Sequence, residues 1–417
     1  MRTVRNRLAL ILVILFSLLQ ASSSSPQTVK AANASASPPA GPIPATFFGL
    51  HVINDNWPTS TFGVIRTSGV SWPTIEQSRG SFDWSNLDSQ VTRAQQHGKP
   101  VYYATDGMPN WFGGVSDIQA WDDFVTAMAA RYKGKIEVYE LWNEPDQDPQ
   151  VSSMGMAGFV TMTQHMRDSI RKTDPAALIS SPAVTGNVNW MDNYWGAGGV
   201  TDMDIVVLHG YPTQIPSQPE IIGPQKAIPM IALMTKYGLT AKPLWDSEAS
   251  WGDSTYGVTD LQQQAGFVAR FYLLHWSYGF TRYYWYSWDD NGNGPGGVGW
   301  GTLFNPSNHQ ALPGATAYQQ VYNWMVGATM PSPCTMASDS TWTCTLTRAG
   351  GFQALAVWNT ATSKSFTPPS QFKQWQDLAG GTHTVSGSVT IGYSPILLTS
   401  TNSPAPVAPT GLSLLVK

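Results

Sequence analysis

Two glutamates close strand-like runs in a way that could do chemistry together. One run ends Tyr139-Glu140-Leu141-Trp142-Asn143-Glu144-Pro145-Asp146, and another ends Leu244-Trp245-Asp246-Ser247-Glu248-Ala249-Ser250. Strand alternation puts Glu140, Trp142 and Glu144 on one face, and puts Asp246 on the face of Glu248. If the two ends stand at one height around a barrel, Glu144 and Glu248 face each other across its mouth. A protonated carboxyl could then release a leaving oxygen while an ionised one attacks the carbon that held it. That division of labour is what cleavage of a glycosidic bond needs. Either motif alone would also fit an ordinary strand-end turn, so the pair carries the reading.

The elements that must position this pair are visible as alternating patterns. Strands are predicted at Phe47–Val52, Gly63–Thr67, Pro100–Thr105, Ile136–Trp142, Leu178–Ala183, Asp204–His209, Pro243–Ser247 and Tyr283–Trp288. Helical periodicity is predicted at Asn86–His97, Ile118–Tyr132, Met156–Thr173, Gln225–Tyr237, Gln262–Tyr278 and Gly314–Met325. Eight strands separated by helices make the α/β class, and the count of a closed (β/α)8 TIM barrel. An open doubly wound sheet is the alternative, but no Gly-rich fingerprint follows the first strand. After Met330 the pattern changes to short strands with Gly, Ser and Thr turns, which reads as a small β-sandwich. The expected organisation is a signal peptide at 1–25, a flexible leader at 26–44, the catalytic barrel at 45–329, the sandwich at 330–400 and a flexible tail at 401–417.

Composition narrows the ligand. Only 12% of the 417 residues are charged, whereas aromatic residues reach 12%, including 18 Trp. A chain with so few charges has no basic stripe for phosphates, so a nucleic-acid partner is excluded. Aromatic surface with little charge suits neutral, ring-shaped ligands. Arg2, Arg5 and Arg7 precede the apolar run Leu8–Leu19 and the small residues Ala21–Ser25, the layout of a cleavable secretory signal too short to span a bilayer. The expected location is secreted or periplasmic, with no membrane association after cleavage. The two cysteines, Cys334 and Cys344, bracket Ser338-Asp339-Ser340. That spacing predicts a disulfide across a hairpin, with two free thiols as the alternative. No metal-ligand spacing is present among the seven His, so neither metal nor cofactor is expected.

The strand-end motifs, with Ile65-Arg66-Thr67, Trp72, Phe82-Asp83-Trp84, Pro109-Asn110-Trp111 and Asp377-Leu378-Ala379-Gly380, resemble clan A of the glycoside hydrolases, and family 39 most of all. The resemblance covers roughly residues 45–400. It implies Glu144 as acid/base, Asn143 as partner of the sugar 2-hydroxyl and Glu248 as nucleophile, in double displacement with retention. It further implies that Arg66 orients the nucleophile and that His209 and Tyr211, in His-Gly-Tyr, line the site, with the Tyr211 hydroxyl on Glu248. Trp288 would be the aromatic floor, with Trp111 a further substrate contact. For Arg66, His209 and Trp288 the respective alternatives are a surface Arg, a core His capping a carbonyl, and core packing. Glu140 is expected to be paired inside the barrel, with Arg66 or His51. Asp289 and Asp290 open a loop over the mouth that reads best as a turn. Trp57, Trp72, Trp111, Trp190, Trp195, Trp251 and Trp300 fall in predicted loops and favour a groove with stacking platforms, hence an oligo- or polysaccharide substrate for a monomeric enzyme. A transglycosylase with the same residues and a catalytically inactive carbohydrate-binding barrel remain as alternatives.

Overall fold

A computed structural model of the chain describes residues 36–212, 218–251, 260–290 and 301–400. The expected signal segment, most of the leader, the tail and Trp300 lie outside the described residues. Eight parallel strands make an inner wall: β1 (Phe48–His51), β2 (Val64–Arg66), β3 (Val101–Ala104), β4 (Val138–Glu140), β5 (Leu178–Ser180), β6 (Val206–Leu208), β7 (Leu244–Ala249) and β8 (Phe280–Trp285). Around them run α1 (Trp72–Ile75), α2 (Ser85–Gln96), α3 (Ile118–Arg131), α4 (Pro149–Thr173), α5 (Val188–Gly196), α6 (Ile228–Lys236), α7 (Leu261–Ser277) and α8 (Pro313–Met325). First and last strands pair, Phe48 opposite Tyr283, and parallel bridges Ser180–Ile205 and Val184–Leu208 join β5 to β6. The sheet is therefore closed into the (β/α)8 barrel, and the open-sheet alternative falls.

Alternation along the strands sorts the apolar residues into two layers. Val64, Tyr102, Val138, Ala183, Ile205, Val207, Trp245 and Tyr284 fill the barrel interior, while the larger core lies between strands and helices. Arg282 of β8 stacks over the Trp245 ring at 4.3 Å and binds both oxygens of Glu137 at 2.7 and 2.9 Å, so the interior charges are paired.

Three elements differ from expectation. β8 begins three residues earlier than the predicted Tyr283–Trp288. The run Phe280–Trp288 is aromatic on both faces, so period two cannot fix its frame and only the register with β1 does. The helix expected from Met156 starts at Pro149, capped by Asp148, with Gly155 out of helical conformation (φ 79°) at the join. That kink hides the first turns from a periodicity argument. A helix at Val188–Gly196 was not foreseen.

The C-terminal region forms a six-stranded antiparallel sheet of β11 (Thr335–Met336), β12 (Thr341–Arg348), β13 (Phe352–Asn359), β18 (Ile396–Thr399), β15 (Gln374–Gln376) and β16 (Thr382–Thr384), in that spatial order. A pair, β14 (Lys364–Phe366) and β17 (Val389–Ile391), covers it over a core of Val357, Phe372, Val389, Ile391, Ile396 and Leu398. The short strands β9 (Phe304–Asn305) and β10 (Gln310–Ala311) form a separate hairpin before α8. Cys334 and Cys344 are joined by a disulfide across the β11–β12 hairpin. The change of architecture near residue 330 is no break in packing, because barrel and sheets belong to one compact unit. Arg348 of β12 donates to the carbonyls of Asn323, Trp324 and Val326 at the end of α8, and Trp358 of β13 donates to Glu220 at 2.9 Å. Helix α7, between barrel and sheets, is buried from Gln264 to Ser277. Among the described residues, no helix is long and apolar enough to cross a membrane.

Candidate active site

Glu144 reaches the mouth by a break in strand geometry. Regular pairing of β4 ends at Glu140, opposite Ala104 and Ser180. The chain then continues through single bonds, Asn143 N to the Thr105 carbonyl and Glu144 N to the Ala183 carbonyl, both 2.8 Å. Glu144 itself sits at φ 44°, a left-handed conformation that a non-glycine residue adopts only when its surroundings enforce it. Trp142 turns outward instead, ring against Trp121 and Phe159, with Nε1 on Asp148 at 3.0 Å. The expected common face of Glu140, Trp142 and Glu144 is thus corrected: Trp142 packs under the helices.

A bulge does the same work on the opposite wall. The β7–β8 register shifts between Asp246 and Ala249, so the simple alternation fails there. Asp246 points back toward α7, where its Oδ2 meets His275 Nε2 at 2.7 Å, while Glu248 faces the mouth. The expected shared face of Asp246 and Glu248 is therefore also corrected.

The two walls bring Glu144, His209 and Glu248 together, one ligand-type atom of each lying within 4.8 Å of the others. Around this trio the charges are arranged by a buried fork. Arg66, at the end of β2, donates to Glu248 Oε2 at 2.7 Å, Glu140 Oε1 at 2.8 Å and Asn143 Oδ1 at 2.8 Å. Glu140 is fully buried and also accepts from the Tyr102 hydroxyl at 2.6 Å, so it is paired with Arg66 as expected. With its oxygen held, Asn143 has its amide nitrogen available toward a ligand. The Tyr211 hydroxyl donates to Glu248 Oε1 at 3.0 Å, and His209 Nδ1 lies 2.7 Å from Glu144 Oε1. Arg66 is thus no surface residue, and His209 serves a carboxylate rather than a carbonyl.

Burial alone would push the Glu248 carboxyl up, but His209, Arg66 and the Tyr211 hydroxyl bring it down to about 2. For His209, burial works downward and is outweighed by Glu248 and Glu144, which raise it. His51, bound through Nε2 to the Ser247 carbonyl at 3.0 Å, is pushed down to about 3 by burial and by Arg66. It is therefore neutral at pH 7, and Arg66 is the permanent positive charge held against Glu248. The trio has the spacing of a cation site, yet the Arg66 guanidinium already neutralises Glu248. Proton and group transfer suit this charge pattern better than a dication.

The aromatic expectations need more correction. Trp288 is fully buried and stacks on Phe304 at 5.5 Å, so it offers no open ring face. Tyr286 is the half-buried aromatic on the inward side of β8, continuing Arg282 and Tyr284. Its ring lies edge-on to His51 at 5.0 Å, and its phenol is raised by burial and then by Glu248. Period two from Tyr284 would have found it. Trp111 is half-buried, with Nε1 on the Glu76 carbonyl at 3.2 Å and its ring against Trp72. Of the other loop tryptophans, Trp72, Trp195 and Trp251 are core residues. Trp57 stacks on His97 at 4.1 Å and Trp190 on Tyr194 at 5.7 Å. Three of the seven expected platforms are therefore core residues. Asp289 is buried and accepts the backbone N–H groups of Ile53, Asn54 and Asn56, which ties the β8 end to the loop after β1. Asp106, just past β3, has its carboxyl raised by burial against the opposing Arg66; the sequence reading passed it over.

No family model matches the chain. Among curated proteins, an endo-1,4-beta-xylanase 3 of Hypocrea jecorina is 28% identical over 85 residues, which cover 18% of this chain and 24% of the xylanase. Among solved structures, a family 39 glycoside hydrolase from Bacteroides cellulosilyticus WH2 superposes with TM-score 0.68 at 17% identity, over 85% of this chain and 80% of that one. A GH39 beta-xylosidase from Caulobacter crescentus gives 0.60 at 14% identity, over 86% and 97%. A GH51 arabinofuranosidase from Xanthomonas axonopodis pv. citri gives 0.56 at 12% identity, over 87% and 97%. The chain shares the fold of these proteins.

Proposed function

We propose that this barrel is a retaining glycoside hydrolase of the clan A type, acting on β-glycosides, with Glu144 as acid/base and Glu248 as nucleophile. The observation that carries the reading is the approach of the two carboxyl groups, oxygens within 4.8 Å. Retaining enzymes hold the pair about 5–5.5 Å apart, whereas inverting enzymes leave roughly 6.5–9.5 Å for a water. Glu248, held down to about 2, is ionised and ready to attack the anomeric carbon. Glu144 donates its proton to the departing oxygen, and a glycosyl ester forms on Glu248. Glu144 then takes a proton from water, which attacks the same carbon from the face the leaving group left, and the starting anomer returns.

The surrounding groups have matching tasks. Arg66 and Tyr211 keep Glu248 charged and aimed. His209 shares a proton with Glu144 and keeps it placed while it alternates between acid and base. The Asn143 amide nitrogen is available for the hydroxyl beside the reacting carbon. Tyr286, in place of Trp288, is the ring against which the sugar lies. No cofactor enters any step.

Xylosides are the first substrates to try, because xylanase and xylosidase are the names attached to several of the similar proteins. The disulfide fits export to an oxidising compartment. An inactive binder would not need two facing carboxylates over a buried cation, whose desolvation is costly unless used. Transglycosylation needs the same residues, and the acceptor decides. The test is hydrolysis of aryl β-xyloside and β-glucoside followed by NMR of the first product. Retention is expected for the wild type, and Glu248→Gly should be inactive until azide restores turnover. An inverted first product, or an active Glu248→Gly enzyme, overturns the assignment.

A further inference from the structure

Behind the nucleophile lies a buried pair that the chemistry above leaves without a task. Asp246 and His275 are both fully buried, and no sugar can reach them. Asp246 Oδ1 accepts two backbone N–H groups, from Gly210 at 3.1 Å and from Glu248 at 3.2 Å. One carboxylate oxygen therefore ties Gly210, between His209 and Tyr211 just past β6, to the nucleophile on β7. The glycine in His-Gly-Tyr follows from this contact, since a Cβ at Gly210 would lie 2.1 Å from Asp246 Oδ2.

Donor and acceptor counting then sets the protons on the pair. His275 Nδ1 lies 2.7 Å from the Phe271 carbonyl, and Nε2 lies 2.7 Å from Asp246 Oδ2. A carbonyl oxygen only accepts, so Nδ1 carries a proton. The second contact needs a proton too, because a bare nitrogen against a carboxylate at that distance would set lone pair against lone pair. Oδ1 of Asp246 already accepts two N–H groups, as a carboxylate oxygen does, which leaves Oδ2 to face the ring. The second proton therefore sits on His275, and the pair is an imidazolium on a carboxylate with no net charge. The flat stacking of Tyr283 on the ring, at 4.0 Å and 10°, holds the imidazole in this orientation.

We propose that His275, on the outer helix α7, is a positioning residue for Glu248: through Asp246 it holds the β7 bulge that aims the nucleophile, and its charge cancels the negative charge that Asp246 would otherwise add beside it. The inference rests on the glycosidase reading for its kinetic consequence, and on hydrogen-bond geometry alone for the proton. Other charged or titratable groups surround Glu248. Arg66 on β2, His51 on β1, and His209 and Tyr211 after β6 act on it, Asp106 and Tyr286 at other strand ends feel its charge, and Glu140 and Glu144 are bound to Arg66 and His209. Lys226, bound to the Thr185 carbonyl at 3.0 Å, acts on Asp246. All of them stay constant across the variants below.

The experiment compares His275→Gln, Asp246→Asn and the double variant by the pH profile of kcat/KM on an aryl β-xyloside between pH 2 and 7, with circular dichroism at each pH to show that the fold persists. Gln keeps a donor toward Asp246 but no charge, so the acid limb should rise by about half a unit or more. Asp246→Asn keeps the pair neutral and should not raise the limb, and the double variant should bring it back to the wild-type position. A loss in His275→Gln that is the same factor at every pH, or an equal rise in Asp246→Asn, overturns the proposal. The ring nitrogens of His275 supply a readout independent of activity, by 15N NMR of the wild-type protein at pH 7. Two protonated nitrogens support the proposal, and one bare nitrogen overturns it. Should the wild type hydrolyse no aryl glycoside, the glycosidase reading fails while the nitrogen spectrum still decides the state of the pair.

Discussion

Replacing Tyr211 with Phe removes one hydroxyl and leaves the ring. That hydroxyl donates to Glu248 Oε1 at 3.0 Å, and it is one of the groups that hold the carboxyl at about 2 against the upward push of burial. A hydrogen bond to a charged group contributes about 1.5–3 kcal/mol. At 3.0 Å this one is long for a hydroxyl on a carboxylate, so the lower part of that range applies, about 1.5–2 kcal/mol. Since 1.36 kcal/mol corresponds to one unit, the carboxyl should rise by roughly 1–1.5 units. The direction is upward because the lost donor favoured the ionised form. Protonated Glu248 cannot attack, so activity should fall with acid sooner than in the wild type. At pH 3 the variant should lose roughly two- to four-fold relative to its own value at pH 6, whereas the wild type loses about a tenth. Any loss from poorer orientation appears at both pH values, so the ratio between them isolates the charge effect. The assay is kcat/KM on an aryl β-glycoside from pH 3 to 7, with circular dichroism at each pH to show that the fold persists. A variant-to-wild-type ratio that is flat across this range would refute the argument that Tyr211 holds the charge of Glu248. The same depressed carboxyl stabilises the fold above its ordinary value of 4.5, and that share is lost as pH falls through about 2.

Three further outcomes are expected. Arg66→Met leaves Glu140 buried with only the Tyr102 hydroxyl for a partner, so stability should fall by about 3–5 kcal/mol, read as a lower urea midpoint; an unchanged midpoint would show that the fork carries no stability. Tyr286→Ala should raise KM with little change in melting temperature, whereas Trp288→Leu should cost stability by about 3 kcal/mol through a cavity beside Phe304. The reverse pattern would return Trp288 to the sugar.

Much of the architecture was legible because it rests on local chemistry. The short apolar runs of Phe47–Val52 or Asp204–His209 and the helical periodicity between them need no tertiary information to be read. The hairpin between Cys334 and Cys344 is a matter of a turn cluster and ten residues of separation. Frames were harder wherever both faces of a strand are apolar, and the aromatic run of β8 slipped by three residues for that reason. Tryptophans in predicted loops were expected to be stacking platforms, but Trp72 and Trp195 lie in helices α1 and α5 and Trp251 stacks on Phe267 of α7, which makes all three core residues.

The site divides along the same line. Residue types and spacing by themselves singled out Glu144 and Glu248 as strand-end carboxylates, and the clan A resemblance implied that Arg66, His209 and Tyr211 stand around them; the structure brings all five together. What residue types and spacing could not determine is which way a side chain points once regular pairing stops. Alternation assigns Trp142 to the face of Glu144 and Asp246 to the face of Glu248, and both assignments are wrong. A left-handed residue at Glu144 and a bulge after Asp246 re-aim the chain, and both are held by bonds from neighbouring strands: Ala183 on one wall, Gly210 on the other. Local sequence supplies the carboxylates, and only the closed barrel turns them toward each other, because the groups that hold each turn come from distant parts of the chain.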